Sequence, residues 1–346
     1  MKRNMCMAAA VAMAILAGAG CQSAGPRPQT GEDREILRYL RSGQSPQSLS
    51  LTVYQDQSER WLVVNGTRVA PYQQAHLSFA SPAGSPIALL NVVGPKGEVQ
   101  ALVDPSSPRS WTCMAFAKAL KLTPVNPPSL VETPVHVIDA RGGVLSVCPE
   151  LLMDRLQVKS VLLYARTGPA TLWPVSRSAL ARDAKLVLGY DFLRSFSWVQ
   201  WDFEGRMWTA STSEPYAPDA ESVVATLPLE AGADGLTVRA IVDSKPRQIV
   251  LDLAGDYEMA MDSPPMELIR QVTLDDLVLR GVRAVSTQDL GLGRPDIARL
   301  GLRLLSRFQI TLDLHRNVVH LEIPPGARAA GPPVDDDELV PEEPAE

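Results

Sequence analysis

Two blocks of this chain occur twice in the same order, and that duplication limits the fold more than any other feature. Residues 186–208 read LVLGYDFLRSFSWVQWDFEGRMW and residues 298–321 read ARLGLRLLSRFQITLDLHRNVVHL. Each carries Leu-Gly, a Leu-containing segment, Arg-Ser-Phe or Ser-Arg-Phe, and an alternating apolar run that ends at Asp202 or Asp313 before a turn and a last strand. Upstream lie VQALVDPSS at 99–107 and RQIVLDLAG at 247–255, where an apolar strand runs straight into Asp104 or Asp252. A repeated unit of this kind is one supersecondary assembly built twice. The period-2 patterning and the scarcity of long helical periodicity make both copies mainly β.

A chain of 346 residues, 45% hydrophobic and 21% charged, has enough apolar material for two ordinary cores. Its net charge of −6 and lack of a Lys/Arg cluster exclude a nucleic-acid groove. His315 and His320 would point to opposite faces of a strand, and no Cys or His set has metal spacing, so no metal or cofactor is expected. No G-x-S-x-G elbow and no phosphate-binding loop is present, and GLGRPD at 291–296 reads as a loop.

The duplicated blocks resemble the retropepsin-like and pepsin-like aspartyl proteases, in which a strand ends in a catalytic Asp and a later apolar-apolar-Gly segment closes the lobe. The resemblance covers about residues 86–324. It implies two fused lobes, closed barrels with short helices, with Asp104 and Asp252 at matching positions. Two carboxyls held together share one proton because both cannot ionise cheaply, and the pair can then activate a water against a peptide carbonyl. Between Asp104 and the first Leu-Gly, the run TPVHVIDARGGVLSV (133–147) reads as a hairpin turning at Gly142-Gly143. The resemblance makes it a substrate-binding flap, which the shorter second lobe has no room for. Both Asp loops depart from the family pattern: Pro105 and Leu253 lack the hydroxyl that follows the Asp, and Ser106 and Ala254 stand where Gly is usual. Two readings therefore stay open. One is a peptidase using the Asp104–Asp252 pair. The other is an inactive pseudoprotease that binds an extended peptide or an envelope protein by strand addition.

The start of the chain has a separate meaning. Lys2 and Arg3, the apolar run Met5–Leu16 and the small residues 17–20 form a signal peptide ending before Cys21. The run is too short to span a bilayer. It resembles a bacterial lipoprotein leader, with Gly18 where that pattern prefers Leu. This implies a lipid on Cys21, a protein on the periplasmic side of the envelope, and retention at the outer membrane because Gln22 is not Asp. Cys113 and Cys148 then form either a disulfide or two buried thiols. The expected order is signal peptide (1–20), anchor and tether (21–47), N-terminal β extension (48–85), first lobe (86–213), second lobe (214–324) and a disordered acidic tail (325–346). The second lobe already gives the first its partner, so a monomer is expected. Asp139, Asp191, Asp202 and Asp313 read as turn or surface carboxylates.

Overall fold

The structure is a computed structural model that describes residues 31–43, 51–55, 60–64, 67–71, 73–81, 84–125, 143–166, 184–213, 215–232, 235–262, 268–290 and 297–326. The chain opens with helix α1 (Gly31–Leu40), the hairpin β1 (Leu51–Gln55) and β2 (Arg60–Val64), the short β3 (Arg68–Val69) and β4 (Gln74–Ala80). The first lobe follows: β5 (Leu89–Gly94), β6 (Gly97–Val103), β7 (Trp111–Cys113), α2 (Met114–Ala119), β8 (Thr123–Pro124), β9 (Val144–Met153), β10 (Leu156–Arg166), β11 (Leu186–Leu188) and α3 (Tyr190–Leu193). Next come β12 (Trp198–Asp202), β13 (Met207–Ser211), β14 (Val223–Pro228) and β15 (Glu230–Gly232). The second lobe has β16 (Gly235–Val242), β17 (Lys245–Asp252), β18 (Met259–Met261), β19 (Leu268–Leu274), β20 (Leu277–Ser286), β21 (Ala298–Gly301) and α4 (Leu302–Leu305), and β22 (Gln309–Asp313) and β23 (Val318–Glu322) end the described chain.

Both lobes close into barrels along the same path. In the first, the order is β5-β6-β11-β7-β10-β9, and the Val93–Leu152 pairing joins β9 back to β5. In the second, the order is β16-β17-β21-β18-β20-β19, and Ile241–Thr273 and Val242–Val272 close the ring. Closure removes sheet edges, which would otherwise recruit other chains. Tight turns set the registers. Asp243 and Ser244, both at positive φ (44° and 66°), link β16 to β17, and Asp154 (φ 54°) and Asp275 (φ 55°) begin the two-residue links β9–β10 and β19–β20. Asp and Ser tolerate the left-handed region that such hairpins require.

Between the barrels lies a shared antiparallel sheet in the order β14-β23-β22-β12-β13-β4. Its halves correspond, with β12 and β22 meeting at the middle through Val199–Leu312 and Gln200–Thr311. Strand β12 alternates buried and half-buried residues, and its Val199 and Trp201 pack into the core with Trp208 of β13. The mainly β, two-lobe acid-protease architecture expected from the repeat is thus present. The lobes and the sheet share one hydrophobic core. The signal peptide, Cys21 and residues 327–346 of the acidic tail lie outside the described residues, whereas α1 (Gly31–Leu40) forms within the segment expected to be a tether.

Candidate functional site

Strand β6 delivers Asp104 and strand β17 delivers Asp252, and each is fixed by an identical local device. The closing strand runs parallel beside the Asp strand, with Val103 opposite Leu188 and Leu251 opposite Leu300. Each carboxyl accepts the backbone N–H two residues on: Ser106 N to Asp104 Oδ1 at 2.9 Å and Ala254 N to Asp252 Oδ1 at 3.1 Å. The residue three after each Asp accepts the first N–H of the closing helix, Tyr190 N to Ser107 O at 2.8 Å and Leu302 N to Gly255 O at 2.8 Å. Gly189 and Gly301 allow this approach. A Cβ on Gly189 would stand 2.6 Å from Ser107 O, and one on Gly301 would overlap Tyr257 O. The two loops therefore superpose in hydrogen bonding although they share no residue beyond the Asp.

The two carboxyls are both buried, close enough for the charge of Asp252 to act on Asp104. Asp104 is 5% exposed and Asp252 fully buried. Burial, and then the charge of Asp252, push the Asp104 carboxyl up to about 7, against the opposing pull of the Ser106 hydrogen bonds and Arg299. Asp104 therefore holds a proton more readily than an ordinary carboxyl.

Asp252 has a different environment. The Tyr257 hydroxyl donates a short hydrogen bond to its Oδ2, and Arg299 Nη1 lies 3.5 Å from the same oxygen. Tyr257 is itself held protonated by burial and by the Asp252 charge, both raising its phenol. In the first lobe the matching positions are Arg109, five residues after Asp104, and Val187, just before Leu188. Neither Tyr257 nor Arg299 was singled out from the sequence. The available signal was an arginine in an otherwise apolar closing strand, visible once the two copies are set side by side.

Pro105 and Leu253 remove the hydroxyl bonds expected across the interface, yet the lobes do bond there. The amide of Leu236 donates to Pro105 O at 3.0 Å. Gly235, at φ +92°, lets the backbone of β16 lie on the carbonyls of Pro105 and Ser106, where any Cβ would collide.

Other expected residues fall out as follows. Gly143 is buried just before β9, whereas Gly142 and Asp139 lie outside the described residues. Cys113 and Cys148 are free thiols. Cys113 sits beside Arg166 and Cys148 beside Val161 on the strand between them, too far apart along β10 to bond. Burial raises the Cys148 thiol to about 11, so it behaves as a small core residue. Asp202 holds its turn through Gly205 N at 2.8 Å. Asp191 is not a surface group: it accepts Ser110 N at 2.8 Å and Ser110 Oγ at 2.6 Å, while Ser110 Oγ accepts Gly189 N, pinning the closing segment to the Asp loop. Asp191 is half-buried, while Asp313 is fully buried and accepts the Arg316 backbone N–H at 2.9 Å. Among the described residues no group of three or more His, Cys, Asp or Glu is arranged to hold a metal ion.

No family model matches the chain, and no curated protein matches it. Among solved structures, basic 7S globulin from soybean is similar at a TM-score of 0.47 and 11% identity, over 75% of this chain and 97% of that one. Conglutin gamma, a basic 7S globulin from lupine seeds, is similar at a TM-score of 0.44 and 11% identity, over 72% of this chain and 95% of that one. Likeness at this level carries nothing about activity, and the fold rests on the two closed barrels themselves. The assignment to the retropepsin-like or pepsin-like aspartyl protease family on a lipoprotein leader is accordingly corrected: no protease family model matches, no match supports the leader, and the two similar solved structures named above are globulins.

Proposed function

We propose that this chain is a catalytically inactive two-lobe protein that uses the region around Asp104 and Asp252 to bind an extended peptide or a protein partner. The observation that supports it is the commitment of Asp252 to Tyr257 and Arg299. Water activation by paired carboxyls needs two groups that exchange one proton and both face the water. Here burial raises one carboxyl well above the usual carboxylate range, and the other is tied to a phenol and a guanidinium. This asymmetry favours binding over hydrolysis, the reaction the paired carboxyls would otherwise perform. The binding mode proposed is strand addition, in which main-chain hydrogen bonds carry affinity and side-chain pockets carry selectivity.

The test is to incubate the protein and its Asp104→Asn and Asp252→Asn variants with an unfolded substrate protein from acid to neutral pH, and to pass a peptide library over the parent. The expected result is no cleavage by any form, and retained peptides that protect amides near 104–107 and 252–255 from hydrogen exchange. Cleavage by the parent that both variants abolish, or a library that leaves nothing bound, would overturn the proposal. Residence on the periplasmic side of a bacterial cell envelope, as a monomer, is a separate proposal supported by residues 1–20 and by the fused lobes; a reporter fusion that stays cytoplasmic would end its first half.

A further inference from the structure

A second surface stands away from the Asp pair, where α1 packs on the first lobe. Ile36 and Tyr39 face inward and are buried. The Tyr39 hydroxyl donates to Leu122 O at 3.1 Å and lies 3.1 Å from Ser146 Oγ, fixing the helix in place. The outward face then presents Arg34, Arg38 and Arg41, spaced so that all three share one stripe. Exposed Lys118 and Lys121, at the end of α2, complete a basic rim. Between helix and lobe is a groove of about 420 Å³, lined by Arg38, Lys118 and Lys121 and floored by Tyr39 and Leu122. Glu35 pairs with Lys118 at 2.6 Å, while Arg34, Arg38, Arg41 and Lys121 have no acidic partner among the described residues. These five cations outnumber Glu32, Asp33 and Glu35, the acids of the same helix, which leaves the patch net positive in a chain of net charge −6.

We propose that this groove holds the chain's own acidic C-terminal tail, residues 335–346. That segment reads DDDELVPEEPAE, with no Lys or Arg after Arg328. It carries enough acid to make the rest of the chain nearly neutral, so the net negative charge of the protein lies in the tail. The apolar Leu339-Val340-Pro341 between two acidic blocks matches a groove with an apolar floor and a cationic rim. The described chain ends at Gly326, and residues 327–334 supply a reach of up to about 30 Å, with the tail itself adding as much again. A body of this size has a radius of gyration of roughly 20 Å, so its diameter of about 50 Å is comparable with the combined reach of linker and tail. Exposed ion pairs are individually weak and shift occupancy only severalfold each. Several acting together with an apolar anchor give a docked state that salt releases.

The test is zero-length carbodiimide coupling in the full-length protein, read by peptide mass spectrometry. Lys118 and Lys121 should join Glu338, Glu342 or Glu343 in preference to the exposed Lys96, Lys159 and Lys245. The yield should fall about fivefold in roughly 0.5 M salt, and similarly in an Arg34→Glu/Arg38→Glu variant that keeps both lysines. Mixing light and isotope-labelled protein should give products within one copy. Coupling spread evenly over all exposed lysines, yields untouched by the double substitution, or products only between copies would each overturn the proposal. None of these outcomes depends on whether the Asp pair hydrolyses peptides.

Discussion

At the scale of single residues, the centre of the molecule is decided by two side chains, Tyr257 and Arg299, that distinguish one Asp from the other. Asp104 has burial and a neighbouring charge against it, so it keeps a proton that the unfolded chain gives up near the usual carboxylate value of 3.8. The folded state then binds more protons than the unfolded state between about pH 4 and 7, and its stability falls as pH rises through that window. Replacing Asp104 with Asn, which is neutral at every pH, should remove this fall and stabilise the protein at pH 8 by about 3–4 kcal/mol. Denaturant titrations at pH 4 and 8 check it, and an Asn variant no more stable than the parent at pH 8 would sink it. Asp252 shows the opposite logic. Removing the guanidinium with Arg299→Leu leaves a fully buried carboxylate with one donor fewer and no cation, at an expected cost of about 3–5 kcal/mol. Tyr257→Phe should cost less, about 1–3 kcal/mol, since it removes a hydrogen bond and not a charge. Equal losses for the two substitutions, measured in urea, would show that the ion pair adds nothing at 3.5 Å.

At the scale of elements, the unit that recurs is a strand ending in Asp, a three-residue loop, and a closing strand that turns at glycine into one helical turn. The closing strand lies against the Asp strand and its helix hangs from the loop carbonyl, so the contact is backbone to backbone. Gly301→Ala forces a Cβ onto Tyr257 O and should displace the very loop that presents Tyr257 to Asp252. A loss of about 3 kcal/mol or more is expected, with the larger part arising from backbone displacement. A thermal melt unchanged by Gly301→Ala would mean that the closing segment gives way freely. In the first lobe Ser110 and Asp191 clasp the closing segment to the loop by hydrogen bonds, where the second lobe uses the ion pairs Arg303–Asp256 at 2.9 Å and Arg307–Glu258 at 2.7 Å. Ser110→Ala would take the hydroxyl donor from Asp191 and leave it only the backbone donors of Ser110 and Phe192, for a loss of about 1–3 kcal/mol. The repeat and both Leu-Gly segments were legible because strand alternation and glycine are local signals. The Asp191 clasp was not, because its partner is far away in sequence.

At the scale of the molecule, the shared sheet is what makes two barrels one body. Strands β12 and β22 meet at its middle, and Trp201 and Trp208 beside that seam are buried in a core continuous with both lobes. Truncating Trp208 to Ala should cost about 3–5 kcal/mol. Because the seam belongs to both halves, the protein should still unfold in one step, with tryptophan fluorescence and far-ultraviolet circular dichroism moving together. Two separated transitions would show that the lobes fold independently.

The sequence alone determined that the body is built twice, that it is mainly β, and that Asp104 and Asp252 occupy matching places. All of these are carried by local patterns: alternation, glycine before a turn, and an acid at a strand end. Only the tertiary structure decided what the pair has become. A hydroxyl five residues after one Asp and an arginine on the strand beside it converge on one oxygen because barrel closure brings β17, β18 and β21 together. Their effect depends on exclusion from water, which no stretch of sequence specifies by itself. The free thiols and the bond from Leu236 to Pro105 follow the same rule: both are consequences of which strands became neighbours, and pairing between distant strands is a property of the whole fold.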